Sequence, residues 1–182
     1  MADVRLVALL RGVNVGKSRR VEMKRLRSLF EGFGCADVST YLNSGNVIFD
    51  SGRDPAAVGH DIEAAFKSEL GIDVRVLVKT GPELRRIARA IPADWQNDAA
   101  YRSDVAYLFP EVDSRTILAE LPVKQEYVDV RYMRGAIFWF VDRRDYNRSR
   151  LNRLIGHQYY QLMTVRNVNT ARALAGPGLE PR

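Results

Sequence analysis

Two polar segments near the N-terminus carry the side chains best suited to binding an anion. The first reads "RGVNVGKSRR" over residues 11–20, and the second reads "TYLNSGNVIFD" over residues 40–50. An arginine offers a planar fork of donors that matches phosphate or carboxylate oxygens, a lysine offers a point charge, and a glycine lets the backbone approach a ligand. The candidate ligand-binding residues in these segments are Arg11, Gly12, Asn14, Gly16, Lys17, Asn43, Ser44, Gly45 and Asn46.

A third segment near the C-terminus repeats this chemistry. It reads "TVRNVNT" over residues 164–170, and Arg166 and Asn167 complete the candidate set. For Asn167 the simpler interpretation is an N-cap of the following helix, and local turn capping is likewise the alternative role of each asparagine.

The segment "GVNVGKS" is excluded as a nucleotide-binding P-loop. That motif places four residues between its glycines, whereas only three separate Gly12 from Gly16. The P-loop also belongs to a parallel sheet, whereas a hairpin follows here. Only the general expectation of a phosphate-binding loop remains.

No catalytic motif can be recognised. His60 and His157 are the only histidines and Cys35 is the only cysteine, so the sequence predicts no disulfide, no metal site and no cofactor. No apolar run approaches the roughly 20 residues of a membrane span. We therefore expect a cytoplasmic protein with no membrane partner, whose oligomeric state the sequence does not define.

The excess positive charge is concentrated at the C-terminal end. The net charge is +6, and residues 143–182 hold eight arginines against two acidic residues, while acids and bases balance in the rest of the chain. A solvated basic face is one interpretation, and attraction of phosphate groups is the other. In addition, "RGAIFWFV" over residues 134–141 resembles in position the stacking strand of RNA-recognition domains. We interpret it as a buried core strand, with RNA stacking as the alternative.

The periodicity of the first half predicts strand, helix, strand, strand, helix, strand. The helices lie near residues 23–33 and 55–70, and "NSGN" forms a hairpin turn that needs a positive φ angle. This order is the split βαβ of ferredoxin-like folds. The end of the first strand and the start of the third should therefore be neighbours, which would bring the two polar segments to one rim.

The second half repeats the same order of elements. "TGPE" from Thr80 fits a capping box, and a basic helix is predicted over residues 148–155. The predicted fold class is α+β, with two ferredoxin-like (split βαβ) subdomains built on antiparallel sheets. Their expected bounds are residues 1–80 and 81–175, followed by a disordered tail at residues 176–182.

Three motifs together resemble the domain of unknown function 1697 family. They are "RGVNVG" from Arg11, "YLNSGNVIF" from Tyr41 and "TVRNVNT" from Thr164. The resemblance spans nearly the whole chain. It implies a small bacterial α+β protein with ferredoxin-like subdomains and no established reaction.

The leading functional hypothesis is a binding protein for a small ligand that bears phosphate or carboxylate. The first alternative is nucleic-acid binding through the arginine-rich C-terminal segment. The second alternative is an enzyme acting on a phosphorylated metabolite, whose catalytic residues the sequence does not identify.

Overall fold

The chain divides into two compact units. The computed structural model describes residues 3–13, 21–42 and 45–176, so most of the expected tail at 176–182 lies outside the described residues. The first unit runs to Leu84 and includes the described residues from Leu174 onward, and the second unit is Arg85–Ala173. Each unit contains one four-stranded antiparallel sheet.

The first unit has the element order of a ferredoxin-like fold. Its sheet has the order β2-β3-β1-β4, so β1 lies at the centre between β3 and β4. The elements are β1 (Val4–Arg11), α1 (Met23–Gly32), β2 (Ala36–Thr40), β3 (Asn46–Ser51), α2 (Pro55–Leu70) and β4 (Arg75–Thr80).

Both helices of the first unit pack an apolar face on the sheet. Buried side chains of α1 and α2, including Phe30 and Phe66, form one cluster with Leu6 and Phe49 of the strands. The start and end of α2 are encoded locally. Asp54 accepts a hydrogen bond from the backbone N–H of Ala57 at 3.0 Å, proline occupies the first turn, and Gly71 ends the helix with φ of +64°.

A capping box opens helix α3 (Gly81–Ala90), as "TGPE" predicts. The backbone N–H of Thr80 donates to Glu83 Oε2 at 2.9 Å, and the N–H of Glu83 donates to Thr80 Oγ1 at 3.3 Å. Burial opposes ionisation of Glu83. The hydrogen bonds from Thr80 and the charge of Lys79 outweigh burial and lower the pKa of Glu83. The helix start is therefore stabilised by an ionised carboxylate.

The second unit repeats the sheet topology of the first. Its strand order is β6-β7-β5-β8. As in the first unit, the second strand along the chain lies at one edge, followed by the third, the first and the fourth. This confirms an α+β chain with two ferredoxin-like subdomains. The elements are β5 (Tyr101–Leu108), α4 (Ile117–Glu120), β6 (Asp129–Met133), β7 (Ala136–Asp142), β8 (Met163–Asn167) and α5 (Val168–Ala173).

The prediction of a basic helix over residues 148–155 is wrong. The segment between β7 and β8 forms three 3₁₀ turns, at Arg143–Asp145, Leu151–Gly156 and Gln158–Leu162. Arg150 has φ of +61°, a left-handed conformation that cannot continue a helix. Leu151 and Leu154 are buried, and their three-residue spacing suits the 3₁₀ repeat.

Strand β7 is a buried core strand, as "RGAIFWFV" predicts. Ala136 and Phe138 are at most 2% exposed, so neither presents a ring or a surface for RNA stacking. Trp139 packs in the core of the second unit on the opposite face, beside Ile137 and Val141. Across the part of the chain that the structure describes, no helix is both long enough and apolar enough to span a bilayer.

Candidate functional site

The two polar segments meet at one end of the first sheet. The backbone N–H of Leu10 donates to the carbonyl oxygen of Gly45 at 2.8 Å, and Leu9 is the cross-strand partner of Asn46. The end of β1 is therefore beside the start of β3, as the split βαβ order predicts. Arg11, Gly12, Gly45 and Asn46 lie at this sheet end. Asn14, Gly16, Lys17, Asn43 and Ser44 lie outside the described residues.

Gly45 is required by both the turn and the packing around it. Its φ angle is +70°, in the region that favours glycine. A Cβ atom at this position would lie 3.0 Å from the Cβ of Leu10 and 3.2 Å from the carbonyl oxygen of Leu10. This close approach ties the hairpin to the end of β1.

Asn46 supports the hairpin from inside. Its side chain is 1% exposed, and Nδ2 donates to the carbonyl oxygen of Tyr41 at 2.9 Å. The backbone N–H of Tyr41 donates in return to the carbonyl oxygen of Asn46 at 3.0 Å. The amide of Asn46 thus closes the turn, which is the capping role considered for each asparagine.

A cleft of about 400 Å³ lies at the same end of the first sheet, and we call it the sheet-end cleft. Arg11 from β1 and Arg75 from β4 both line it, and they are direct cross-strand partners. The remaining lining residues come from α2 and the segment that follows it. They are His60, Glu63, Ala64, Lys67, Asp73 and Val74.

Ion pairs in the sheet-end cleft leave an excess of positive charge. Lys67 Nζ lies 3.5 Å from Asp73 Oδ1, and Arg75 Nε lies 3.4 Å from Glu63 Oε1. Glu63 Oε1 also accepts a hydrogen bond from the backbone N–H of Val76 at 2.7 Å. With neutral histidine, the lining holds three cationic side chains and two carboxylates, so its net charge is +1.

Residue types in the sequence did not single out the α2 side of this cleft. His60, Glu63, Ala64 and Lys67 recur at the spacing that places residues on one helix face. That spacing is a signal from which the helix side of the cleft could have been found. No signal in the sequence indicated Arg75, because Arg75 reaches the cleft only through the pairing of β4 with β1.

Arg166 and Asn167 belong to the second unit and bond within it. Arg166 is 8% exposed, and its Nη1 donates to Thr164 Oγ1 at 2.9 Å and to the carbonyl oxygen of Val165 at 2.8 Å. Burial lowers the pKa of Arg166 to about 10, although the nearby Tyr107 opposes that shift. Asn167 Oδ1 accepts from the N–H of Thr170 at 2.8 Å, which confirms its N-cap role.

The described residues contain no group of three His, Cys, Asp or Glu side chains that could hold a metal ion. Cys35 is buried, and burial raises the pKa of its thiol despite the nearby charge of Arg53. A buried thiol of this kind packs as a small apolar side chain.

Comparison with known proteins agrees with the fold and with the two N-terminal motifs. The family model described as "Protein of unknown function (DUF1697)" matches residues 4–139. Among solved structures, the conserved bacterial protein SP0830 from Streptococcus pneumoniae has a TM-score of 0.81 at 24% identity, covering 96% of this chain and 98% of that chain. At this identity the likeness establishes the fold. No curated protein matches the sequence. The chain belongs to the DUF1697 family of proteins of unknown function.

Proposed function

We propose that this protein binds a phosphate- or carboxylate-bearing ligand in the sheet-end cleft. The observation that carries the proposal is the direct opposition of Arg11 and Arg75 on adjacent strands, with both side chains lining one cleft. Two arginines at opposed positions that line one cleft can direct donor forks that match the oxygens of one anion.

The two opposed arginines concentrate positive charge in the sheet-end cleft. Like charges at directly opposed positions of an antiparallel pair repel each other. Glu63 compensates in part through its contact with Arg75 at 3.4 Å, but the lining as a whole keeps its net positive charge. An anion bound in the cleft would balance this positive charge and accept charge-assisted hydrogen bonds.

The two polar segments extend the proposed site beyond the cleft itself. Gly12 has φ of +75° and starts the segment that carries Asn14, Gly16 and Lys17, and Gly45 follows Asn43 and Ser44 in the hairpin. On the basis of the sequence alone, we assign their amide, hydroxyl and ammonium groups to the rim of the proposed site. Asn46, Arg166 and Asn167 take no part in the proposal, because the hydrogen bonds described above give each of them a role in the fold.

The double substitution Arg11→Ala with Arg75→Ala is expected to weaken anion binding strongly. Each arginine supplies charge-assisted hydrogen bonds, so each single substitution should weaken binding about tenfold, and the two effects should accumulate. The measurement is isothermal titration calorimetry at low ionic strength, with inorganic phosphate, pyrophosphate and citrate as ligands.

Arg27→Ala is the matched control. Arg27 is exposed on α1 and outside the cleft lining, so its removal lowers the net charge as each single substitution does, without touching the site. Equal affinity of the double variant and the wild type for every anion that binds would refute the proposal.

The enzyme alternative is tested in the same series. Conversion of a phosphorylated metabolite, followed by ³¹P NMR, would show that the cleft holds a substrate.

A second candidate function, nucleic-acid binding, concerns a surface of the second unit that we call the arginine surface. It comprises the five exposed arginines of the segment between β7 and β8. Only one acidic residue, Asp145, lies among them in the chain. Arg150 and Arg153 are exposed and make no side-chain hydrogen bond or ion pair with the described residues, so binding a phosphate would break no such bond there. The five residues are Arg143, Arg144, Arg148, Arg150 and Arg153.

Replacing Arg150 and Arg153 by glutamine is expected to weaken oligonucleotide binding and its dependence on salt. Each lost phosphate contact on a single strand lowers the slope of log K against log salt by about 0.7, so the slope should fall by about 1.4. Fluorescence anisotropy across a salt series measures it. Lys24→Gln with Arg27→Gln removes two charges from exposed positions of α1 and serves as control. An unchanged slope in the arginine-surface variant would contradict this candidate.

A further inference from the structure

A groove of about 470 Å³ in the second unit combines aromatic rings with carboxylates. It is bounded by the start of β5, the end of β7 and the segment leading into β6, and we call it the aromatic groove. Its aromatic lining is Tyr101, Tyr127 and Phe140, and its acidic lining is Glu126, Asp129 and Asp142. A groove of this volume is in the range that accommodates small organic ligands.

Three aromatic rings form a stack that ends in the groove. The rings of Trp95 and Phe140 have centroids 5.5 Å apart, and those of Phe140 and Tyr101 are 5.0 Å apart, with 24° between the planes in both pairs. Trp95 is 3% exposed at one end of the stack, whereas Tyr101 is 40% exposed at the other. The stack therefore ends at the groove in Tyr101, its most exposed member and the candidate for stacking with a further flat ring.

Arginines stand beside the groove and contact its lining. Arg148 lies 4.2 Å above the ring centroid of Tyr127, and its Nη2 donates to the hydroxyl of Tyr127 at 3.0 Å. Arg144 Nη2 donates to Asp142 Oδ2 at 2.6 Å. Because Arg144 and Arg148 are members of the arginine surface, that surface and the aromatic groove are continuous.

The carboxylates add a preference among bases. Glu126 is exposed, and its nearest cation is Lys124 Nζ at 3.8 Å, which is too long for a hydrogen bond. Ionised carboxylates only accept hydrogen bonds. Cytosine and adenine present an exocyclic amino donor, whereas uracil has a carbonyl oxygen at the position of the cytosine amino group and a donor only at its ring N3. A carboxylate that faces the amino position therefore favours amino-bearing bases over uracil.

We propose that the aromatic groove takes up one base of a single-stranded nucleic acid, stacked on Tyr101, while the arginine surface holds the adjoining phosphates. The inference rests on the second proposed function. It adds a position for a base, a stacking residue and a preference for amino-bearing bases. Stacking on an aromatic side chain is the usual way in which proteins bind unpaired bases.

The test is anisotropy with short labelled RNA homopolymers of cytidine, adenosine and uridine and the full chain. The wild type is expected to bind the cytidine and adenosine oligomers more tightly than the uridine oligomer. Tyr101→Leu is expected to weaken binding of the cytidine oligomer about tenfold, and Tyr101→Phe to keep it, because only the phenylalanine retains a ring for stacking. Glu126→Met, at an exposed position, is expected to reduce the preference for cytidine over uridine about fivefold.

The outcomes separate this inference from the function on which it rests. Equal affinity for all three oligomers, with no loss in Tyr101→Leu or Glu126→Met, would overturn the base-binding groove. If the arginine-surface variant were still weakened in that case, nucleic-acid binding itself would stand. A wild type that binds none of the oligomers would overturn both. Binding that is weakened in Tyr101→Leu but kept in Tyr101→Phe would support base stacking in the aromatic groove.

Discussion

Asp104→Leu is expected to lower the free energy of unfolding by about 3 kcal/mol, because it leaves two donors without their acceptor. Asp104 is 6% exposed in β5. Its Oδ2 accepts a hydrogen bond from Arg102 Nε at 2.8 Å and another from the indole Nε1 of Trp139 at 2.9 Å. Leucine would bury the Trp139 N–H with no acceptor. The side chain of Arg102 is about one-third exposed, so its guanidinium group can turn towards water. The loss in free energy of unfolding should therefore be smaller than the largest losses seen when a fully buried ion pair is broken.

Chemical denaturation measures this loss, and near-ultraviolet circular dichroism reports the environment of Trp139. Asp104→Asn is the matched control, since its amide oxygen can still accept from Trp139 while the charge that pairs with Arg102 is gone. We expect the asparagine variant to lose about 1 kcal/mol and to keep the tryptophan signal. Equal stability of the leucine and asparagine variants would show that the Trp139 hydrogen bond contributes nothing measurable.

Gly45→Ala is expected to cost about 3 kcal/mol, from a strained φ angle and from overpacking together. The strain arises at φ of +70°, and the overpacking arises against Leu10, whose Cβ would be 3.0 Å from the new methyl group. Because the carbonyl oxygen of Leu10 is also within 3.2 Å, the hairpin must shift away from β1. The measurement is again the free energy of unfolding. Anion binding by the folded variant would also report whether the hairpin contributes to the sheet-end cleft.

Two other glycines separate the two causes. Gly34 has φ of +78°, and apart from its chain neighbours no described residue has an atom within 4 Å of the position that a methyl group would take, so Gly34→Ala should cost only the backbone strain, about 1 kcal/mol. Gly32 lies at the end of α1 with open space and no positive φ angle, so Gly32→Ala should cost nothing. If Gly45→Ala lowered the free energy of unfolding no more than Gly34→Ala does, the close approach of Gly45 to Leu10 would contribute nothing to stability.

Local signals in the sequence accounted for most of the fold. The cap at Asp54, the stop at Gly71 and the reciprocal bonds of Thr80 and Glu83 each involve residues a few positions apart, and the capping box of Thr80 and Glu83 was predicted from "TGPE". The repeated order of strands and helices then defined two ferredoxin-like units, and three motifs indicated the family. The error at residues 148–155 arose from an arginine-rich pattern that resembles a helix, because nothing in it reveals the left-handed backbone of Arg150.

Only part of the candidate site could be predicted from the sequence. Residue types alone selected Arg11 and the glycine-containing hairpin, and the strand order correctly predicted that the two would be neighbours. Residue type could not show that Arg166 is buried, since an arginine before a helix looks the same whether it faces solvent or the core. It also could not select Arg75, because a cross-strand partner depends on the register between strands that are far apart in the chain.

The amino-acid sequence alone was sufficient to establish the order of elements in the first unit, the glycine turn of the hairpin and the family, because propensity, capping and motif spacing act over short stretches of chain. Folding in three dimensions was needed to oppose Arg11 with Arg75, to bury Arg166 and to give Asp104 two donors. Strand register and burial result from the packing of the whole unit, and no short stretch of sequence contains that information.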